Sequence, residues 1–89
     1  MQARLTLYSR PGCHLCEEMK ATIAGVRTPV SYTLEERNID ADPELVRLYG
    51  ESIPVLAING KLAFKIKLTP ESFLEKFRRL VVEAGSGDA

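Results

Sequence analysis

Cys13 and Cys16 are the only cysteines of the 89-residue chain, and they lie three positions apart in Pro11-Gly12-Cys13-His14-Leu15-Cys16. Two thiols at this spacing can close a small disulfide ring and open it again. The segment separates a strand-like run from a helix-like run, so Cys13 is expected at a helix N-terminus. Unpaired N–H groups and the helix dipole favour a thiolate there, and the thiolate is the nucleophilic form. The position therefore favours redox chemistry over structural cross-linking.

A metal centre is the main alternative for this cysteine pair. Zinc usually takes four ligands, whereas the sequence offers two cysteines and one histidine, His14. A zinc or iron–sulfur centre would need a dimer or an external thiol, so no metal ligand is assigned within the chain.

His14 lies inside the motif and has two interpretations. A protonated imidazole would stabilise the neighbouring thiolate and make the pair more oxidising. Alternatively, His14 is an exposed residue at the start of the helix with little effect on the thiol. The first interpretation predicts that a neutral residue in place of His14 raises the pKa of Cys13.

Length and composition limit the possible function classes. We expect a single domain over 1–84 and a frayed tail over 85–89. Twelve Lys and Arg residues balance twelve Asp and Glu residues, which argues against a nucleic-acid binder. No apolar run approaches the ~18 residues that span a membrane. No export signal is evident, so the expected compartment is the cytosol, where a Cys-x-x-Cys is more often catalytic or metal-binding than structural. Nothing in the sequence demands more than a monomer.

Hydrophobic periodicity predicts alternating strands and helices. Alternating or continuous apolar runs predict strands over 3–8, 30–39, 53–58 and 62–66. Helical spacing predicts a helix over 13–23, a short helix between Asp42 and Gly50, and a last helix that Thr69 caps. The simplest packing of this order is a parallel βαβ unit followed by an antiparallel ββα unit.

Turn and burial signals add detail to this arrangement. Asn59-Gly60 predicts a tight type I′ hairpin turn between the last two strands. Leu34 in the second strand is expected to be buried, and Leu45 and Leu48 are expected on the inner face of the short helix.

Three of these features resemble the thioredoxin superfamily: the element order, the Cys-x-x-Cys after the first strand, and Ile53-Pro54 before the third strand. The compact length is similar to glutaredoxins, and the segments 7–16 and 49–56 resemble the small bacterial glutaredoxin-like proteins. The resemblance covers about residues 3 to 82. It implies an α/β fold of the glutaredoxin type. Its four-stranded mixed sheet would have the order 2-1-3-4, with three helices distributed over both faces and a cis Pro54 against the cysteines.

The resemblance also implies substrate-binding roles. A basic residue near the position of Arg10 contacts a glutathione carboxylate in glutaredoxins and favours the thiolate, although a solvent-facing turn arginine is nearly as well supported. The residue before the cis-proline, Ile53, would offer its N–H and C=O to an extended substrate as an added strand does. Glutaredoxins also carry a Gly-Gly followed by an acidic residue before the last helix. The segment 65–71 lacks this pair, which argues against tight glutathione binding, although Lys65 or Lys67 could contact a carboxylate.

The leading hypothesis is a dithiol–disulfide oxidoreductase that reduces protein or low-molecular-weight disulfides. Cys13 would be the exposed nucleophile and Cys16 the less exposed resolving thiol. No bound cofactor is expected, and glutathione or a thioredoxin-reductase-like donor would supply electrons. The alternatives are a metal or iron–sulfur module that uses Cys13 in a dimer, and a redox-inactive interaction domain with the same fold.

Overall fold

A computed structural model describes residues 2–83 of the chain. The predicted tail over 85–89 lies outside the described residues. Four strands are present, namely β1 (Gln2–Ser9), β2 (Ser31–Asn38), β3 (Val55–Ile58) and β4 (Lys61–Lys65). The helices are α1 (His14–Ala24), α2 (Pro43–Tyr49) and α3 (Pro70–Phe77), with a 3₁₀ turn at Ile39–Ala41 and π-helical turns at Arg78–Glu83.

The four strands form one mixed sheet in the order β2-β1-β3-β4, which confirms the predicted order. β1 pairs in parallel with β2 and antiparallel with β3, and β3 pairs antiparallel with β4. In this register Ser9 lies opposite Asn38, and Tyr8 lies opposite Val55. The carboxyl ends of β1 and β2 and the start of β3 therefore meet at the same edge of the sheet.

One face of the sheet carries the main core. Alternate residues of β1 and β3 pack there against α1 and α3, and the buried members are Ala3, Leu5, Leu7, Met19, Ile23, Leu56, Ile58, Phe73, Phe77 and Val81. The Phe73 and Phe77 rings have centroids 5.8 Å apart. All four residues of β3 are buried, as expected for a central strand covered on both faces.

The short helix α2 covers the opposite face. Tyr8 points away from the face of Leu7 because successive strand residues alternate, and its ring lies 4.9 Å from that of Tyr49 in α2. The predictions for Leu34 and Leu48 were wrong, since these side chains are 37% and 51% exposed. β2 is an edge strand that pairs with β1 alone, and α2 has only seven residues and buries none of them.

Local sequence signals form the turn between β3 and β4 and the start of α3. Asn59 and Gly60 have φ of 50° and 84°, as the predicted type I′ turn requires. Asn59 also binds the start of β1, because its Oδ1 accepts from Arg4 N at 2.8 Å and its N donates to Arg4 O at 2.8 Å. Thr69 caps α3 through reciprocal 3.1 Å bonds with Ser72.

Candidate functional site

Cys13 and Cys16 are joined as a disulfide at the start of α1, with Cα atoms 5.3 Å apart. Cys13 is the N-cap residue of α1 and is half-buried, whereas Cys16 is 1% exposed. Cys16 N donates to Cys13 Sγ at 3.1 Å, so the sulfur of Cys13 lies within reach of the unpaired N–H groups of the first turn. The geometry therefore gives one accessible sulfur and one protected sulfur.

The turn before α1 brings Cys13 to the helix terminus. Gly12 has a φ of +79°, and a residue with a side chain would be strained in this conformation. The turn at Gly12 redirects the chain from β1 into α1. Cys13 N donates to Arg10 O at 3.2 Å, and Glu17 N donates to Cys13 O at 3.3 Å. The backbone thus fixes Cys13 on both sides.

Ile53 and Pro54 lie at the same edge of the sheet, immediately before β3. The Ile53–Pro54 peptide bond is cis, as the family resemblance implies. Pro54 is buried and its carbonyl accepts from Ile66 N at 2.7 Å. Within residues 2–83 the backbone N–H and C=O of Ile53 have no hydrogen-bond partner, so both groups are available to an extended chain laid beside them.

Ile66, which follows β4, adopts a backbone conformation that its side chain disfavours. Its φ is +74°, and Lys67 N donates to Lys65 O at 2.8 Å across it, which forms a γ-turn with positive φ. This turn type is rare and strained, particularly at a β-branched residue. The side chain is 46% exposed. Nothing in the sequence indicated this turn, because a β-branched residue argues against positive φ.

The guanidinium of Arg10 binds the segment that precedes α2 and the residue that follows this helix. Nε and Nη2 donate to one carboxylate oxygen of Asp40 at 3.2 and 3.0 Å, and Nη1 donates to Gly50 O at 3.4 Å. Arg10 was predicted from the sequence, but its partners, which lie 30 and 40 residues away, were not. Arg10 connects the turn that carries Cys13 to the chain that leads to Ile53.

A second polar network lies between α1 and the carboxyl ends of β1 and β2. The buried Ser9 hydroxyl donates to Glu36 Oε2 at 2.8 Å, and Lys20 donates to Glu36 Oε1 at 3.0 Å and lies 3.1 Å from Glu17 Oε2. The hydrogen bond from Ser9, followed by that from Lys20, lowers the pKa of Glu36. The bonds to Glu36 and then Glu17 raise the pKa of Lys20. This network was not predicted from the sequence.

The two networks border an open hollow of about 300 Å³, here called the turn hollow. It is lined by Ser9, Arg10, Pro11, Gly12, Glu17, Lys20, Glu36 and Asn38. On the other side of α1 lies a smaller hollow of about 60 Å³, which is lined by Leu15, Glu18, Met19, Thr22, Ile66, Lys67 and Leu68.

His14 projects from the first turn of α1 with 87% of its side chain exposed, and its Nε2 lies 2.9 Å from Glu18 Oε2. The imidazole therefore has a carboxylate partner of its own on the helix surface. Its predicted effect on the Cys13 thiolate stays a prediction.

Within residues 2–83, neither a cluster of metal ligands nor a membrane-spanning helix is found. No group of three or more His, Cys, Asp and Glu side chains there is placed to hold a metal ion. No helix in the same range has the length and apolar character to cross a membrane.

Comparison with known families agrees with the fold. The profile of the Glutaredoxin-like domain (DUF836) matches residues 4–79. The chain belongs to this family. Its glutaredoxin-like assignment, first drawn from the Cys-x-x-Cys and Ile53-Pro54, is thereby confirmed. A comparison with curated proteins found no match.

Solved structures place this glutaredoxin-like chain among thioredoxin-like folds. It is similar to protein Ne2328 from Nitrosomonas europaea, with 36% identity, a TM-score of 0.69 and coverage of 80% of this chain and 86% of that one. It is also similar to protein XcR50 from X. campestris, with 27% identity, a TM-score of 0.74 and coverage of 84% and 96%. A mutant thioredoxin from Halobacterium salinarum NRC-1 shares the fold at 12% identity, with a TM-score of 0.61 and coverage of 86% and 73%.

Proposed function

We propose that this glutaredoxin-like protein is a thiol–disulfide oxidoreductase in which Cys13 and Cys16 form the reactive dithiol. The observation that carries the proposal is the unequal exposure of two cysteines that are close enough to form a disulfide. Cys13 is half-buried at the N-terminus of α1, and Cys16 is 1% exposed one turn further along. A substrate disulfide can therefore reach one sulfur and not the other.

The reaction begins with the reduced dithiol. The Cys13 thiolate attacks one sulfur of a substrate disulfide, a bond forms between them, and the other substrate sulfur leaves as a thiolate that takes up a proton. The N–H groups at the start of α1 favour this Cys13 thiolate because they are unpaired donors at the positive end of the helix dipole.

The second step regenerates a free substrate thiol. Cys16 loses its proton and attacks Cys13 Sγ, so that the mixed disulfide breaks and the Cys13–Cys16 disulfide forms. The substrate gains two electrons and two protons in total, and the dithiol loses them. A thiol donor then reduces the disulfide by the reverse exchange. Glutathione and a thioredoxin-reductase-like protein are the two donor classes that fit this step.

Ile53 has the binding role in this proposal. Its free N–H and C=O lie at the edge of the sheet that also carries the turn of Cys13, so an extended substrate can form main-chain hydrogen bonds beside the disulfide. The buried Pro54, held through its carbonyl by Ile66 N, fixes the course of the chain at this point.

The test titrates the purified protein in buffers of reduced and oxidised dithiothreitol, with alkylation and mass spectrometry at each potential. We expect reversible conversion between a form with two alkylated cysteines and a form with none, because the chain has no other cysteine. The Cys16→Ser variant should accumulate a mixed disulfide with a model substrate, whereas Cys13→Ser should be inactive. A protein that forms no intramolecular disulfide, and is purified with zinc or an iron–sulfur chromophore, would contradict the proposal and favour the metal-binding alternative.

A further inference from the structure

Arg10 is a cation on the turn that carries Cys13, and its guanidinium is already bound within the chain. Two of its nitrogens donate to Asp40 and the third donates to the carbonyl of Gly50. The side chains of Arg10 and Asp40 are 34% and 49% exposed, so solvent and ligands can reach the pair. An anionic substrate that approaches Arg10 therefore meets a guanidinium whose charge Asp40 already neutralises.

The fold fixes Asp40 in this position. Asp40 lies in the 3₁₀ turn Ile39–Ala41, where Asn38 Oδ1 accepts from its backbone N at 2.9 Å. Ile39 beside it is fully buried, and Asp42 N closes the turn on Ile39 O at 3.0 Å. The carboxylate therefore projects toward Arg10 from an anchored backbone, and it does not swing on a free loop.

The other cation of the turn hollow is neutralised in the same way. Lys20 lies within 3.1 Å of carboxylate oxygens of both Glu17 and Glu36. Around the hollow, Arg10 and Lys20 thus face three carboxylates, counting Asp40. The local charge is net negative although the whole chain is neutral, and it disfavours a ligand that brings further carboxylates.

We infer that Asp40 is a specificity-determining residue: it occupies Arg10 and selects against disulfides that carry carboxylates next to the reacting sulfur. The inference rests on the proposed function and names its substrate class. Neutral disulfides, and polypeptide disulfides without a neighbouring carboxylate, are accepted. Small acidic disulfides such as glutathione disulfide are disfavoured because their carboxylate must displace Asp40 and leave it unpaired in a negative region.

The first arm of the test measures binding and does not depend on activity. S-methylglutathione, an anionic probe that cannot exchange disulfides, is titrated into the wild type and Asp40→Asn, with NMR shifts as the readout. We expect Asp40→Asn to bind about two- to fivefold more tightly at low ionic strength, since exposed ion pairs contribute on this scale. The gain should disappear in the double variant Arg10→Gln/Asp40→Asn and shrink at about 0.5 M salt.

Two further variants serve as controls for the binding measurement. Glu35→Gln changes the charge equally at an exposed residue that has no ion pair within residues 2–83, and it should bind the probe as the wild type does. Arg10→Gln alone should bind the probe no more tightly than the wild type does, because this variant removes a cation and leaves Asp40 unpaired. A gain in Arg10→Gln, or a two- to fivefold gain in Glu35→Gln, would overturn the inference even if Asp40→Asn failed to fold.

The second arm compares kcat/KM for glutathione disulfide with that for the uncharged hydroxyethyl disulfide. Asp40→Asn should raise the ratio of the two about two- to fivefold. The ratio cancels any change in thiol reactivity that both substrates share. An unchanged ratio overturns the inference while the proposed function stands. If the wild type reduces neither disulfide, the proposed function fails, and the binding arm alone decides the role of Asp40.

Discussion

The two flanks of the disulfide are held in different ways. Side-chain bonds hold the polar flank, which consists of Ser9, Arg10, Glu17, Lys20, Glu36 and Asp40. All of these bonds except the Lys20–Glu17 pair within α1 join distant parts of the chain. The other flank, called the apolar flank, surrounds the smaller hollow, which is lined by Leu15, Glu18, Met19, Thr22, Ile66, Lys67 and Leu68. Backbone hydrogen bonds from 66 to 54 and from 67 to 65 hold the segment after β4 on this flank.

The difference extends to what each flank leaves free. The cations of the polar flank are paired within the chain, whereas Lys65 and Lys67, at the γ-turn, form no ion pair within residues 2–83. The apolar flank also leaves Leu15 and Ile66 44% and 46% exposed. A change of charge should therefore act mainly on the polar flank, and a change of backbone freedom mainly on the apolar flank.

The largest loss of stability is expected at Gly50, where a side chain of the polar flank binds a backbone carbonyl. An added Cβ at Gly50 would lie 2.6 Å from the carbonyl oxygen of Val46, so the chain must shift and move the Gly50 carbonyl that Arg10 binds. Gly50→Ala should lower the free energy of unfolding by about 2 kcal/mol in urea titrations.

The matched control is Gly25→Ala at the end of α1. Its added Cβ would meet the carbonyls of Thr22 and Ala21 at 3.6 and 3.7 Å, which is ordinary contact. This variant should be neutral or stabilised by up to about 1 kcal/mol, because alanine restricts the unfolded chain. Equal destabilisation of the two variants would show that close approach at Gly50 is not the cause.

A smaller effect should reveal how the backbone holds the apolar flank. Ile66→Gly and Ile66→Ala remove the same exposed side chain except for one methyl group, and they differ in their tolerance of the φ of +74°. Glycine should be more stable than alanine here by about 1 kcal/mol, the reverse of the usual order. Urea unfolding of the two variants measures the difference, and an alanine variant at least as stable as the glycine variant would contradict it.

The smallest effect concerns the pH dependence of the polar flank. Because the pKa of Glu36 is lowered in the folded state, its carboxylate contributes stability above its unfolded pKa of about 4.3. That stability is lost as the pH falls through the lower folded pKa. Glu36→Gln should therefore be less stable than the wild type near neutral pH. Its stability should also fall less steeply in the acid limb, the acidic part of the curve of stability against pH. The difference should stay below about 1 kcal/mol because the group is partly exposed.

Thermal unfolding between about pH 7 and pH 2 would measure this limb. Ser9→Ala removes the first of the two donors to Glu36 and should flatten the limb in part. If Glu36→Gln kept the full acid dependence of the wild type, the folded state would not lower the pKa of Glu36 and the prediction would be wrong.

Local sequence signals predicted much of the fold and the position of the cysteine pair at the start of α1. Thr69 and Asn59-Gly60 act through bonds to nearby backbone or through their own φ preferences, so each could be recognised in isolation. The resemblance supplied the sheet order and the cis Pro54. The start of α1 at the cysteine pair followed from the turn before it.

The flanks were harder to predict because their contacts depend on register and packing. Ser9 meets Glu36, and Arg10 meets Asp40, only because β1 and β2 pair in parallel with Ser9 opposite Asn38. Leu48 is apolar but faces solvent, because a short helix on a small sheet face cannot bury a full stripe. At Ile66 tertiary contacts override the strong preference of a β-branched residue for negative φ, and the local sequence does not indicate this.

The position of β1 in the sheet also has a consequence for biosynthesis. β1 lies between β2 and β3, and β3 starts at Val55, which is 42 residues after Cys13. At ribosomal rates of about 5–20 residues per second, the two thiols emerge roughly 2–8 s before the strand that completes their surroundings. The cysteine pair is thus synthesised before β3, and β1 lacks its second neighbour in the sheet until β3 docks beside it.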